Sequence, residues 1–286
     1  MKKLLPHFLL LICLTLITFS CSEDAEPEVP GIVELQDNID ALELYNVPYG
    51  TDNRQVYDIY LPENRNENTK VIILIHGGGW VSGDKVSMLP YVVTAKEELP
   101  NYAFVNINYR LASEGVSPFP MQLDDITAVI NHLKINKDEY LISEDYGFIG
   151  ISAGAHLAML WSYAYNFDNN VNMVASIVGP TNFKDPNYED FVDPTFVYFN
   201  ITPSDSILEQ YSPYYNVSAS SPPTILFYGG NDPLIPNTQG IDMDAKLAEL
   251  NVAHEFTFYE EEGHGWVGDN LLDTWEKIIA FINTHH

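Results

Sequence analysis

Residues Tyr146-Gly147-Phe148-Ile149-Gly150-Ile151-Ser152-Ala153-Gly154-Ala155-His156-Leu157 decide how this chain folds. The stretch opens as a short apolar run, passes through G-x-S-x-G, and continues into the helix-like segment Ala153 to Tyr165. A strand, a sharp turn and a helix in that order put the central serine on the turn itself. Such a turn is strained, and strand and helix can approach only if the residues two before and two after the serine are small. Gly150 and Gly154 meet that need. The turn lifts the Ser152 hydroxyl clear of the backbone and sets the next amide, Ala153 N–H, beside any carbon the hydroxyl attacks.

Working outward, Val71 to Ile75 is five consecutive aliphatic residues, the mark of a strand buried on both faces. Ala103 to Ile107, Val174 to Val178 and Thr224 to Tyr228 are similar runs. Between them lie helix-like stretches: Met121 to Ile135, with Leu123, Ile126, Ile130 and Leu133 at helical intervals, and Asp242 to Leu250. Glu255 to Tyr259 and Leu271 to Asn283 read as a last strand and helix. Strands alternating with helices predict an α/β fold, a mainly parallel twisted sheet with helices on both faces. Before it, Ala41 to Tyr49 and Gln55 to Leu61 read as two strands joined by Gly50-Thr51-Asp52-Asn53, and Asp58 within the second predicts an antiparallel edge strand with one wet face. Residues 181–223 break the alternation and are rich in aromatics, including Phe183, Tyr188, Phe191 and Phe196. A structureless loop of that length is unusual, so an inserted lid or pocket wall is expected. Its aromatics could stack on sugar rings or form a small core of their own.

A serine hydroxyl is a poor nucleophile until a base takes its proton. Eight histidines are available. His7 lies near the start and His285 and His286 at the end; His132 falls on a helix; His156, one helical turn past Ser152, points along its helix; His254 precedes a strand and is expected to face solvent; His76 reads as structural. His264 stands in Glu262-Gly263-His264-Gly265-Trp266 after the last strand, where active-site residues of an open sheet gather. An imidazole needs a carboxylate to fix its tautomer. Asp232, in Gly229-Gly230-Asn231-Asp232-Pro233 at the end of a strand, supplies one, and the order Ser152, Asp232, His264 fits a strand-elbow serine site. His76-Gly77-Gly78-Gly79-Trp80 follows the Val71–Ile75 strand. Backbone amides without a Cβ in the way can point at a developing oxyanion together with Ala153 N–H.

With those residues in view, the chain resembles α/β-hydrolase serine esterases of the hormone-sensitive-lipase and acetyl-xylan or feruloyl-esterase-like kind. Asp58-Ile59-Tyr60-Leu61-Pro62, His76 to Trp80, Asn108-Tyr109-Arg110-Leu111, Gly150 to Ala158, Asp232 and His264 carry the likeness, which runs from about Leu42 to Ile282. The resemblance implies an α/β-hydrolase fold, with Ser152, Asp232 and His264 catalytic, Gly78, Gly79 and Ala153 as the oxyanion hole, and no metal or organic cofactor. In relatives with HGGxW the donor shifts toward Trp80. A helical cap has no room before Leu42, which favours the carbohydrate-esterase branch, and Arg110 is expected to pair with Asp124 or Asp125. The expected activity is carboxylic ester hydrolysis through an acyl-enzyme, on an acylated carbohydrate or another small ester. A same-fold peptidase or amidase and a non-catalytic glycan-binding lipoprotein are the alternatives.

The chain has 286 residues and a net charge of −27, with three arginines, Arg54, Arg65 and Arg110. Such a surface repels nucleic acid and anionic membrane faces. Met1-Lys2-Lys3, the apolar run Leu4 to Phe19 and Ser20-Cys21 read as a signal peptide over residues 1–20. The cysteine after a small residue resembles a lipobox, which implies lipidation at Cys21 and membrane attachment through that anchor. An acidic tether over 21–40 and a catalytic domain over 41–286 follow. The expected location is that of an exported bacterial lipoprotein at the outer membrane, on its periplasmic or cell-surface side.

Overall fold

The computed structural model describes residues 38–286. The expected signal peptide, the lipidation site Cys21 and most of the tether lie outside the described residues. Eight strands form one sheet: β1 (Leu42–Pro48), β2 (Val56–Leu61), β3 (Val71–Ile75), β4 (Ala103–Ile107), β5 (Tyr146–Ile151), β6 (Val171–Ile177), β7 (Thr224–Gly229) and β8 (His254–Tyr259). Their spatial order is β1-β2-β4-β3-β5-β6-β7-β8. The β1–β2 and β2–β4 pairs are antiparallel, and every pair from β4 to β8 is parallel. This is the mainly parallel α/β sheet expected from the sequence.

Helices cover both faces: α1 (Leu89–Glu98), α2 (Met121–Tyr140), α3 (Ala153–Ala164), α4 (Glu189–Tyr198), α5 (Asp205–Gln210), α6 (Pro213–Asn216), α7 (Asn237–Glu249) and α8 (Asp269–His285). Side chains alternate across a strand, so β3 divides its residues between two cores. Val71, Ile73 and Ile75 enter the core shared with α2, α3 and α7. Ile72 and Leu74 enter the one shared with α1 and α8. Both sets are fully buried, which is why β3 is aliphatic throughout.

Two expectations change here. Strand β2 is not an edge: β1 pairs with it on one side and β4 on the other. Asp58 is accordingly buried, and its carboxylate is neutralised by Lys85, whose Nζ lies 2.7 Å from each oxygen. A carboxylate in a strand therefore signalled a buried ion pair rather than a wet face. His254 is half-buried rather than turned to solvent, with Nδ1 2.7 Å from the Val252 carbonyl and Nε2 3.3 Å from Asp244.

The 181–223 segment contains α4, α5 and α6. Phe183, Tyr188, Phe196 and Phe199 are buried in it. Phe183 packs against Trp80, His156 and Phe196 at ring-centroid separations of 5.9, 4.9 and 5.2 Å, and Phe119 stacks on Tyr211 at 4.6 Å. Most of the aromatics form the segment's own core, which joins that of α3.

Candidate active site

Ser152 stands between β5 and α3 with φ 55° and ψ −122°, a conformation a side-chain-bearing residue holds only under constraint. The constraints are visible. Its amide donates to the Ile177 carbonyl at 2.8 Å. A Cβ at Gly150 would lie 2.5 Å from the Gly154 carbonyl oxygen, and one at Gly154 would lie 2.2 Å from the Ile75 carbonyl oxygen. Both glycines are thus required by close backbone approach, as the elbow predicts.

His264 comes from the loop after β8. Its Nε2 lies 2.9 Å from Ser152 Oγ and its Nδ1 2.7 Å from Asp232 Oδ2. A carboxylate oxygen accepts, so Nδ1 carries the proton and the Nε2 lone pair faces the hydroxyl. The other Asp232 oxygen accepts from the amides of Leu234 (2.8 Å) and Ile235 (3.0 Å), and the carboxylate is fully buried. Five hydrogen-bonding groups therefore fix one line from acid to hydroxyl. The two loops are stitched together by Asn231 N donating to Glu262 O at 2.8 Å and Gly230 N to Tyr259 O at 2.8 Å. A Cβ at Gly229 or Gly230 would sit 2.2 Å from a carbonyl oxygen of the His264 loop.

The glycine loop after β3 lies beside the serine; a Cβ on Gly77 would be 3.1 Å from that of Ser152. Three of its carbonyls are anchored by neighbouring groups. Gly77 O is 2.6 Å from His76 Nδ1, and Gly78 O accepts from Ser82 N at 3.0 Å and Ser82 Oγ at 2.8 Å. Trp80 O accepts from Ala112 N at 2.9 Å and Gln122 Nε2 at 2.7 Å. In a trans peptide the N–H points opposite to its own carbonyl, so the amides of Gly78 and Gly79 are directed away from those partners. The Trp80 indole is fixed by His156, whose ring lies 3.3 Å from Trp80 Nε1 and 2.8 Å from the Tyr211 carbonyl. Since the indole can only donate, His156 Nδ1 accepts and Nε2–H donates to Tyr211. Burial pushes His156 down to about 4, so it stays neutral. Both ring nitrogens of His156 are thus taken up by Trp80 and Tyr211, and neither is bonded to the Ser152 hydroxyl.

Ser152 and His264 open into a cavity of about 590 Å³ lined by Gly77 to Trp80, Met88, Tyr91, Ile151, Pro180, Tyr188, Phe191, Leu234 and Ile235. Apart from the glycine-loop backbone and the Ser152–His264 pair, its walls are mainly apolar. Burial holds the Tyr188 phenol well above the ordinary tyrosine range. The sequence did not point to Met88, Tyr91, Leu234 or Ile235 as walls, since they carry no motif and meet only in the fold. Arg110 pairs with Asp125, not Asp124, through contacts of 2.6–3.1 Å. Among the described residues no three His, Cys, Asp or Glu side chains are grouped as ligands to a metal would be.

Known proteins fit this geometry. The chain is 26% identical over 267 residues to Esterase LipC of Mycobacterium tuberculosis, a match covering 84% of this chain and 64% of that protein, less than two thirds of its length. A truncated carbohydrate esterase from gut microbiota superposes with a TM-score of 0.72 at 20% identity, over 87% of this chain and 97% of that one. The structure titled Bacterial Heroin Esterase gives 0.67 at 21%, over 86% and 84%. At those identities the two structures establish the shared α/β-hydrolase fold. The sequence match to the BD-FAE family runs over residues 57–247, from β2 through the nucleophile elbow into α7, and the chain belongs to that family.

Proposed function

We propose that the chain is a serine carboxylesterase acting through an acyl-enzyme, with Ser152 as nucleophile, His264 as general base and Asp232 as the group that orients it. The observation that carries this reading is the continuous line from Asp232 through His264 to Ser152 Oγ, at 2.7 and 2.9 Å, opening into an apolar cavity. Ser152 Oγ adds to the ester carbonyl carbon as its proton passes to His264 Nε2. The carbonyl π electrons move onto oxygen, and that charge is met by the amides of Gly78, Gly79 and Ala153. The tetrahedral adduct collapses, the C–O bond to the alcohol breaks, and His264 returns the proton to the leaving oxygen. A water deprotonated by the same imidazole then clears the acyl group, with the same amides stabilising the second oxyanion.

The oxyanion assignment rests on the carbonyl anchoring of Gly77 and Gly78, which directs the next two amides to the other side of the loop. Gly78 and Gly79 are the donors assigned on that ground. An acylated carbohydrate is the proposed substrate, supported by the carbohydrate-esterase structural neighbour. Export as a lipoprotein anchored through Cys21 is proposed from the sequence of residues 1–21. Replacing Cys21 by Ser should move the protein from membrane to soluble fractions.

The test of the central reading is hydrolysis of p-nitrophenyl acetate by residues 22–286 and by the same protein carrying Ser152→Ala. The first should release nitrophenol with a burst where deacylation limits, and the second should lose at least about 10⁴-fold in kcat. Equal rates for the two would overturn the assignment. A panel of acetylated, feruloylated and longer-chain sugar esters would then rank the acyl groups.

A further inference from the structure

Behind the glycine loop lies a polar cluster that the acyl-transfer chemistry does not use. Arg54, in the turn before β2, reaches across to it. Its Nη1 is 3.0 Å from Asp84 Oδ2, its Nη2 is 2.9 Å from Gly83 O, 3.3 Å from Asn108 Oδ1 and 3.3 Å from His76 Nε2, and its Nε is 3.3 Å from Tyr109 O. His76 is fully buried and stacked on Tyr109, with ring centroids 4.3 Å apart and planes 14° apart. Its Nδ1 lies 2.6 Å from the Gly77 carbonyl.

From these contacts we propose that Arg54 is a positioning residue for the oxyanion hole, acting by fixing the tautomer of His76. The inference rests on the acyl-transfer reading above. A guanidinium has donors and no acceptor, so an Nε2–H facing it would set two donors against each other. Nε2 is therefore the bare nitrogen. A neutral imidazole has one ring proton, and it then sits on Nδ1, where it donates to the Gly77 carbonyl. The two contacts agree on the tautomer: the Gly77 carbonyl favours a proton on Nδ1, and the Arg54 donors exclude one from Nε2. Burial pushes His76 down to about 4, and the Arg54 charge adds to that, while Asp84 opposes it; the ring is neutral at neutral pH.

The consequence follows from the peptide plane. The Gly77 carbonyl and the Gly78 N–H belong to one rigid unit. Holding the carbonyl on the His76 side holds the Gly78 N–H on the pocket side. With the other tautomer, Nδ1 would present a lone pair to the Gly77 oxygen, and the repulsion would rotate that peptide and turn the Gly78 donor. The packing leaves His76 little room to escape the choice: a Cβ on Gly83 would lie 2.3 Å from Gly77 O and 2.6 Å from His76 Nδ1.

The experiment combines kinetics with the ring's own spectrum. In the unaltered protein, ¹⁵N-labelled on histidine, the His76 shifts should report a protonated Nδ1 and a bare Nε2 at neutral pH; the reverse pattern overturns the inference without any variant. Arg54→Met should mix the two tautomers and lower kcat on p-nitrophenyl acetate by about 10-fold with KM nearly unchanged, a fraction of the roughly 10²–10³ that removing an oxyanion donor outright costs. His76→Gln, which puts its amide at the Nε2 position, should lose about 10²-fold. His76→Asn, whose amide nitrogen falls near the Nδ1 position, should recover much of that loss. An Arg54→Met protein that keeps both wild-type kcat and a pure Nδ1–H ring overturns the proposal. Equal losses in His76→Asn and His76→Gln do so too. An unaltered protein with no ester hydrolysis would overturn the acyl-transfer reading itself, a result distinguishable from these.

Discussion

The glycine loop Gly77–Trp80 and the 181–223 segment border the same cavity, and they are held in different ways. Each fixed carbonyl of the loop has a named donor: His76 for Gly77, Ser82 for Gly78, Gln122 and Ala112 for Trp80. Hydrogen bonds are directional, so the loop's amides have one orientation. The segment has polar anchors too, Thr181, Asn182 and Asp185 with Gln239, and adds to them a core of rings that the loop lacks. Phe183 packs against Trp80, Phe119 and His156, Phe196 against Phe119 and Tyr188 against Phe183, and these rings are buried together with Phe199. Burial of that kind is strong but non-directional. Damage to the loop should therefore appear in kcat, and damage to the segment in stability and in the choice of substrate.

The largest effect tests the segment. Phe183→Ala removes a ring that is 2% exposed from the centre of its aromatic core and should cost about 3–5 kcal/mol in urea unfolding. The folded fraction should still hydrolyse p-nitrophenyl acetate at close to the original kcat. A large fall in kcat per folded molecule would break the division of labour, because it would mean that the segment orients the amides as well.

Next comes the loop. Gly78 has φ +124°, and a Cβ there would lie 2.1 Å from the Ser82 carbonyl oxygen, which is backbone. Gly78→Ala must displace the peptide that carries the first proposed oxyanion donor, so kcat should fall roughly 10²–10³-fold, about 3–4 kcal/mol, with KM little changed. Gly79→Ala is the internal control. Its φ is +58° but a Cβ would meet nothing within 4 Å, so the cost is the ordinary left-handed penalty of about 1–2 kcal/mol. Equal kinetic damage at the two positions would argue that strain rather than donor direction decides.

The same contrast explains what could be read from the sequence. Ser152, Asp232 and His264 were legible because each is announced by local chemistry: glycines around a turn, or a polar residue at the end of an apolar strand. The mainly parallel character of the sheet was legible from strand and helix alternation, though the place of β2 inside it was not. Arg54 was not, because nothing in Asp52-Asn53-Arg54-Gln55 signals that its side chain reaches His76, and the contact exists only once β2, β3 and β4 lie side by side. The Asp58–Lys85 pair was misread for the same reason. A single carboxylate in a strand reads as exposure until its partner, 27 residues away, is known. Non-local polar pairs leave no periodicity; apolar ones do.

His156 links the two regions and gives a test that depends on pH. Its ordinary value is 6.5, and burial brings it to about 4 in the folded chain despite the Tyr211 carbonyl, which works the other way. The unfolded chain takes up this proton as pH falls through 6.5, and the folded chain resists until about 4. The stabilisation is therefore complete above the upper value and is lost through that window. For one such histidine, moving from about pH 7 to about pH 5 should remove on the order of 2 kcal/mol. His156→Gln deletes this contribution while His76 and the carboxylates still titrate in both proteins, so the unaltered chain should show the steeper loss in urea unfolding. Parallel curves would mean that His156 accepts its proton in the fold and that the indole contact is not what fixes it.

The smallest effect lies at the rim, where the two regions meet a substrate. Phe191 is 38% exposed, lines the cavity, and stacks on Tyr188 with ring centroids 5.0 Å apart and planes 9° apart. Unlike Phe183 it contributes little to the segment's core, so its removal should leave stability nearly untouched. What it offers is a flat apolar face about one ring wide, adjacent to the nucleophile's pocket. Phe191→Ala should raise KM for an ester with an aromatic acyl or alcohol group by roughly fivefold, the equivalent of about 1 kcal/mol of ring contact, and leave the acetate ester unchanged. If KM rises equally for both esters, the ring shapes the mouth of the cavity rather than contacting a particular group. If kcat falls instead, the rim reaches the reacting atoms, and the separation between a directional loop and a non-directional wall fails at the place where it should be cleanest.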